Sequence, residues 1–437
     1  MVGTYHFKKI AMKRIVASIG VAAIGSTAIQ QAQAVSLSPQ ESTKPWSVSV
    51  GLRGFYDDNY LSAPRDSANV LESWGFSVTP TLSLNLPLEQ TYFGFDFTYS
   101  GQWYAQDNHW DNSYIASGII NHAFTEQLNL EVSDRFVYSD RPELTDPTLS
   151  TVERTDQNNI FNSGNAQLSI GLSPRLGIVL AYQNMFWDYE NDNPTADTIP
   201  PGFPGNPQTA SLSALLDRMQ QLIPINLRHQ TGPTTVTFIG YSFGMVDYTS
   251  DEFLGVSATG PQRADIRNNR SHYGYIGIEH NFTPLLNLGV KGGAQFTDYY
   301  NDPQTGNNVT PYGDISLGYL YTTGSRAEIG YTLSQAATDI YSPSADGQVT
   351  QNRLVSSLFA RVDHQFIPQL HGGLFGQWQL GDYNGGQYDG TTQNLYLLGA
   401  SLRYDFNRFL SADLGYTFDY QDNAIPGQGY TRNRVYL

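Results

Sequence analysis

The chain has 437 residues, with 24 Lys and Arg against 40 Asp and Glu and a formal charge of −16. That balance argues against nucleic acid as a partner, and the absence of Cys excludes disulfides and thiolate metal sites. Aromatics at 13%, charged residues at only 15% and 41 Gly suit a membrane β-barrel, whose alternating strands escape a hydropathy window, although a soluble β-sandwich or propeller shares such a composition.

Residues 1–34 read as a secretory signal: Lys8, Lys9, Lys13 and Arg14 precede an apolar run from Ile15 to Ile24, and Ala32-Gln33-Ala34 forms an A-x-A cleavage site. Met12 is an alternative start. Removing this segment takes away four basic and no acidic side chains, so the formal charge becomes −20. No later stretch approaches the roughly 18 apolar residues of a membrane helix. Residues 35–45 read as a periplasmic lead-in and 46–437 as one transmembrane barrel.

Strand periodicity then governs the chain. Leu286, Leu288, Val290, Gly292, Ala294 and Phe296 share one face, against Asn287, Lys291, Gln295 and Thr297 on the other. Eleven such residues rising about 3.3 Å each and tilted near 40° cover about 28 Å, the depth of an outer-membrane apolar band. The pattern predicts strands at 46–57, 69–86, 91–106, 110–124, 127–140, 157–172, 175–190, 224–231 and 234–249. It continues at 268–282, 285–300, 309–323, 325–341, 351–366, 369–383, 391–406, 409–421 and 429–437. These make an antiparallel up-and-down barrel of about eighteen strands, or sixteen if the poorly alternating 224–231 and one other are lost.

Two kinds of connection alternate. FTEQL, LSPRL, FTPLL, FIPQL and FNRFL (from Phe124, Leu172, Phe282, Phe366 and Phe406) are tight turns, whereas 140–156 and 250–268 are long and polar. Short turns at one end and long loops at the other are the asymmetry of an outer-membrane barrel. The longest loop, 191–224, contains Leu212, Leu215, Leu216, Met219 and Ile223 at helical spacing. It predicts a helix that folds inward and constricts the lumen, caps the rim or packs on a neighbouring protomer. Its acidic start, Asp188, Glu190, Asp192 and Asp197, lacks the ligand spacing of a calcium loop.

Period-two parity sorts the charged residues. Arg53, Arg135, Lys291, Arg326, Arg353, Arg361, Arg403, Arg432 and Arg434 fall on the inward face, with Asp96, Glu131, Glu279, Asp314, Glu328, Asp363, Asp405, Asp413 and Asp419. Cross-strand pairing that holds the wall is the plainer reading, with Asp413 and Asp419 expected to face Arg432 and Arg434. A transverse field that screens solutes at a constriction is the functional one. Asp58, Asp107, Asp140, Asp188, Asp247, Asp298, Asp339 and Asp382, each near the outer exit of a strand, fall on the outward face. There they mark the end of the apolar band or bridge through Mg²⁺ or Ca²⁺ to lipopolysaccharide phosphates.

His122, His280 and His364 each precede a turn as H-x-F. A membrane phospholipase also uses an outward His. Three copies at one level, without a unique Ser, fit interfacial anchors better than catalysis, so no catalytic residue, metal site or cofactor is assigned.

The repeated F-T-P-x-L turns, the strands ending in D-Y, NRSHYGYIGIEHNFTP from Asn269 and the terminal YTRNRVYL from Tyr430 resemble the putative beta-barrel porins of Gram-negative bacteria. This resemblance implies a passive outer-membrane channel for small hydrophilic solutes or ions, recognised by the barrel-assembly machinery through its last strand and surrounded by lipid and lipopolysaccharide. Homo-oligomerisation is compatible with it. Some members accompany exopolysaccharide or exosortase loci, so an export-associated barrel or a surface adhesin is the competing class. Such barrels usually end in Phe, where this sequence has Leu437.

Overall fold

The computed structural model describes residues 45–140, 158–206, 209–302, 304–425 and 427–437. The signal segment, nearly all of the lead-in and the loop after Asp140 lie outside them. Nine of the barrel strands come first: β1 (Trp46–Asp57), β2 (Ser73–Pro87), β3 (Thr91–Tyr104), β4 (His109–Thr125), β5 (Leu128–Ser139), β6 (Asn159–Ser173), β7 (Leu176–Tyr189), β8 (Arg218–Gly232) and β9 (Thr235–Tyr248). A loop hairpin of β10 (Phe253–Ser257) and β11 (Gly260–Arg263) follows, with a 3-10 turn at Ala264–Arg267. The barrel resumes with β12 (Asn269–Thr283), β13 (Leu286–Asp298), β14 (Asn308–Thr322), β15 (Ser325–Ala336) and β16 (Asn352–Ile367). It finishes with β17 (Leu370–Asn384), β18 (Thr392–Asn407), β19 (Leu410–Asn423) and β20 (Tyr430–Tyr436).

Eighteen strands form one antiparallel sheet in which each pairs with the next, β9 with β12, and β20 with both β19 and β1. That last pairing closes the barrel. Along every strand apolar residues face outward: Val48, Val50 and Leu52 on β1 are 61%, 61% and 75% exposed, and Ile276 on β12 is 67% exposed. Exposure of this kind around a whole barrel is intelligible only if acyl chains cover it.

The short turns owe their repeated sequence to backbone chemistry. In most of these two-residue hairpins Ser, Thr or Asn at the end of the incoming strand accepts from amides that the ladder leaves over; FIPQL, with Ile367 there, is the exception. Thr283 Oγ1 accepts from Leu285 N (3.2 Å) and Leu286 N (3.0 Å), Ser173 Oγ from Leu176 N (3.1 Å), and Asn407 Oδ1 from Phe409 N (2.8 Å). A bulge accompanies each of these turns.

Inside, the wall between β9 and β12 is built from reciprocal aromatic and glycine pairs. Phe238 stands opposite Gly277 and Tyr275 opposite Gly240. A Cβ on either glycine would lie 2.1 Å from the facing ring, so each ring reaches over the backbone of the next strand into space that only glycine leaves.

Three expectations need correction. The segment 224–231 is part of a longer strand beginning at Arg218, and the loop helix α1 spans only Leu212–Leu216. Met219 and Ile223 belong to β8, opposite Asp247 and Phe243. Ladder pairing on both sides outweighs the helical spacing of their side chains. Finally, β15 ends at Ala336, so Asp339 is not an outward rim residue; it is buried in the loop that turns into the barrel mouth.

Candidate functional site

A cavity of about 680 Å³ occupies the lumen. Its lining runs from Gly94 and Glu131, near the short-turn end, to Tyr248, Tyr299 and Asn352 at the long-loop end. Amides recur in it, among them Asn165, Gln167, Gln183, Gln295, Gln335 and Gln377, beside the rings of Tyr273, Tyr312, Phe359 and Phe375. Gln295 Nε2 donates to Ser271 Oγ (3.1 Å) and to Gln335 Oε1 (2.8 Å), which also accepts from Thr297 Oγ1 (2.8 Å). Such bonds hold the amide row in place along β12, β13 and β15.

Several charges on the inner wall form close pairs, and others rest on neutral partners. Lys291 Nζ lies 2.5 Å from Asp314 in the register pair of β13 and β14. Asp363 receives both Arg326 Nε (2.8 Å) and Arg361 Nε (2.9 Å), and Glu328 stands opposite Arg361 in register. Arg403 Nε donates to Asp405 (2.7 Å), and Asp413 is its register partner on β19. Arg53 lies 4.1 Å over the Tyr436 ring, and Arg353 Nη1 donates to Gln393 Oε1 (2.7 Å). Asp96 accepts from Ser83 Oγ (2.5 Å), Glu131 from Asn121 Nδ2 (3.4 Å), and Arg135 joins both on the cavity wall.

Two members of this wall escape sequence reading. Asp57, fully buried, takes Arg432 through Nη2 (2.7 Å) and Nε (2.9 Å), with Arg434 Nε at 3.8 Å. Asp419 stands opposite Arg432 in register, whereas Arg434 faces Thr417 rather than Asp413. The neighbouring Asp58 drew attention as the rim residue, yet period two already assigns Asp57 to the inward face. The other is Arg228, which reaches Glu279 at 2.6 Å across the Phe238 ring. It lies on β8, the strand whose alternation Pro224 and Gln220-Gln221 obscure.

Loops close the far end. Ser211 caps α1, accepting from Ala214 N (2.9 Å), and Leu216 packs on the inward Trp187 and Tyr189. Leu212 and Leu215 join that cluster, so the helix lies inside the barrel mouth against its inner wall. Ala214, Leu254, Ile266 and Val349 unite three loops in a second cluster. Arg267, fully buried, binds them together: Nη1 donates to Thr338 O (2.9 Å), and Nη2 to Leu215 O (2.7 Å) and Ala214 O (3.2 Å), over the Tyr248 ring. Burial pushes its guanidinium below the ordinary Arg value. Asp217, just after the helix, accepts from Tyr189 N (2.8 Å), and burial pushes its carboxyl up to about 8.

Asp58 accepts from Asn433 Nδ2 (2.6 Å), Asp140 from Asn112 N (2.9 Å) and Nδ2 (2.8 Å), and Asp247 from Tyr300 OH (2.8 Å). Asp298 faces Arg270, Asp188 faces Ile160, Asp382 faces Leu354, and Asp107 is exposed in the β3–β4 turn. Among the described residues no group of three His, Asp or Glu could hold a metal. The H-x-F histidines share one geometry, with Nδ1 against Thr91 Oγ1 (2.7 Å), Thr235 Oγ1 (2.8 Å) or Tyr321 OH (2.9 Å) and the ring edge-on to Phe124, Phe282 or Phe366.

The chain is similar to several solved structures. OccK11 (OpdR) of Pseudomonas aeruginosa is 15% identical, with a TM-score of 0.41 over 90% of this chain and 94% of that one. OccAB4 of Acinetobacter baumannii is 13% identical, with a TM-score of 0.42 over 91% and 98%. A BenF-like porin from Pseudomonas fluorescens Pf-5 is 11% identical, with a TM-score of 0.45 over 90% and 97%. No curated protein matches. The model of the family described as Putative beta-barrel porin 2 matches residues 332–437, from late β15 through β20, and is the beta-barrel porin likeness read from the sequence.

Proposed function

We propose that the protein is an outer-membrane channel for passive diffusion of small hydrophilic solutes. The observation that carries this reading is the cavity running along the barrel from Gly94 and Glu131 to Tyr299 and Asn352, in which amides and hydroxyls alternate with apolar side chains, enclosed by a wall whose outer face is apolar. A barrel whose only task were to display loops would have no need of an amide-lined interior. Lys291, Arg326, Arg361 and Arg403 are spent on neighbouring carboxylates, and Asp96 and Glu131 accept from Ser83 and Asn121, so the middle of the path offers mainly amides, hydroxyls and rings, and suits uncharged polar solutes over ions of either sign.

Export through a cleaved signal segment, and insertion by the assembly machinery acting on β20, complete this reading. Mg²⁺ or Ca²⁺ at the rim would act through single carboxylates such as Asp298, shared with lipopolysaccharide phosphate. Swelling of protein-loaded liposomes in neutral and charged solutes of matched size tests the function. Faster entry of the neutral solutes supports it; no entry above protein-free liposomes, with the barrel folded, refutes it.

A further inference from the structure

The outward face of β5 carries Leu128, Leu130, Val132, Phe136 and Tyr138, and among them Asp134. Its direction is fixed twice. Asn162 Nδ2 donates to both carboxylate oxygens, at 3.1 and 3.2 Å, and a Cβ on Gly164 would meet Asp134 Oδ2 at 3.3 Å. Its depth is fixed by register. Four residues toward the turns, Leu130 faces the anchor His122, and four residues the other way Tyr138 faces Tyr114. Asp134 therefore sits about 13 Å along the strand from either boundary, in the middle of the apolar band.

The other outward carboxylates, such as Asp188, Asp298 and Asp382, stand at strand ends. A carboxylate at mid-depth facing acyl chains is unfavourable, because hydrocarbon offers its lone pairs nothing. The surroundings fit a protein neighbour instead. Ala116, Gly118, Gly164 and Ala166 form a shallow hollow about Asp134, and a Cβ on Gly118 would meet nothing within 4 Å. Small residues of this kind let two walls approach closely in a bilayer. Across Gly164 in register lies Asn184, so an acid-bearing strand and an amide-bearing strand flank β6.

We propose that the outward face of β4–β7 around Asp134 is the contact surface between two copies of this chain in the membrane. The proposal rests on the membrane-channel reading above. Two copies in one membrane share orientation and depth, and their two-fold axis runs along the membrane normal. With that axis through β6, β5 of each copy lies opposite β7 of the other. Donor-bearing Asn184 then approaches the side of the hollow that holds the acceptor Asp134, and the two carboxylates are kept apart.

Because the chain has no Cys, one introduced thiol reports one position. Ala166→Cys, on β6, is treated with a short bis-maleimide in isolated outer membranes, beside Ala400→Cys on the opposite wall. The expected result is a covalent species of twice the chain mass from Ala166→Cys and none from Ala400→Cys. Adding Asp134→Leu and Asn162→Leu should lower that yield about tenfold, while heat-dependent gel mobility shows that the barrel is still folded. Monomer alone, a conjugate of another mass, or a yield indifferent to the two leucines overturns the proposal and leaves the channel reading intact. Recovery of the protein outside the outer-membrane fraction overturns both.

Discussion

Removing the guanidinium of Arg267 should open the loop cap without disturbing the barrel. The side chain is fully buried and donates to three carbonyls from two separate loops, Thr338 O on one side and Ala214 O and Leu215 O on the other. A hydrogen bond to a charged group contributes about 1.5–3 kcal/mol net, and three of them must offset the cost of burying the cation. Arg267→Ala should therefore destabilise the closed cap by about 3 kcal/mol, two decades in the ratio of open to closed. Arg267→Met keeps the apolar stem over Tyr248 and separates lost hydrogen bonds from lost packing. Single-channel recording reads the outcome as residence in a wider conducting state, expected to rise about a hundredfold in both variants. Unchanged residence in folded Arg267→Ala and Arg267→Met would refute the latch.

Three further outcomes follow from the geometry. Asp217 holds its proton more tightly in the fold, at about 8, than a free carboxyl at 3.8, so folding favours the protonated form. Its contribution to the stability of the loop is then fully present below about pH 4, is lost as pH rises to about 8 because the buried anion is desolvated, and is level above that, although the bond from Tyr189 N itself favours the anion. Proteolysis of the 191–217 loop should quicken over that range, and Asp217→Asn should abolish the dependence. Gly277→Val would drive a branched side chain into the Phe238 ring and should cost about 1–3 kcal/mol, read as a lower midpoint of thermal unfolding in detergent. Asp314→Asn leaves Lys291 without its 2.5 Å carboxylate partner, and should shift reversal potentials toward anions; an unmoved potential would place this pair off the conducting path.

The barrel is legible in the sequence because period two is imposed by the membrane on nearly every strand, so eighteen segments could be counted and their faces assigned. The turns were legible for a local reason, since in most of them Ser, Thr or Asn accepts the leftover amides. What failed to show was set by contacts remote in sequence. Met219 and Ile223 have helical spacing, yet Asp247 and Phe243 draw them into a ladder. Asp339 continues the aspartate series, but Arg267 and the neighbouring loops gather its segment inward beyond Ala336. Asp57 was hidden by attention to Asp58, although its register with Arg434 places it inside. Parity gives the face of a charge but not its partner, as Arg434 opposite Thr417 illustrates.

The central claim is a conducting lumen narrowed by its own loops. Its most direct measurement is the conductance in planar bilayers of the wild type and of a variant with residues 195–215 replaced by a short Gly-Ser linker, which spares Asp217 and β8. The account predicts current through the wild type and a larger unitary conductance in the variant. Folded protein that passes no current in either form, or equal conductance in both, would contradict it.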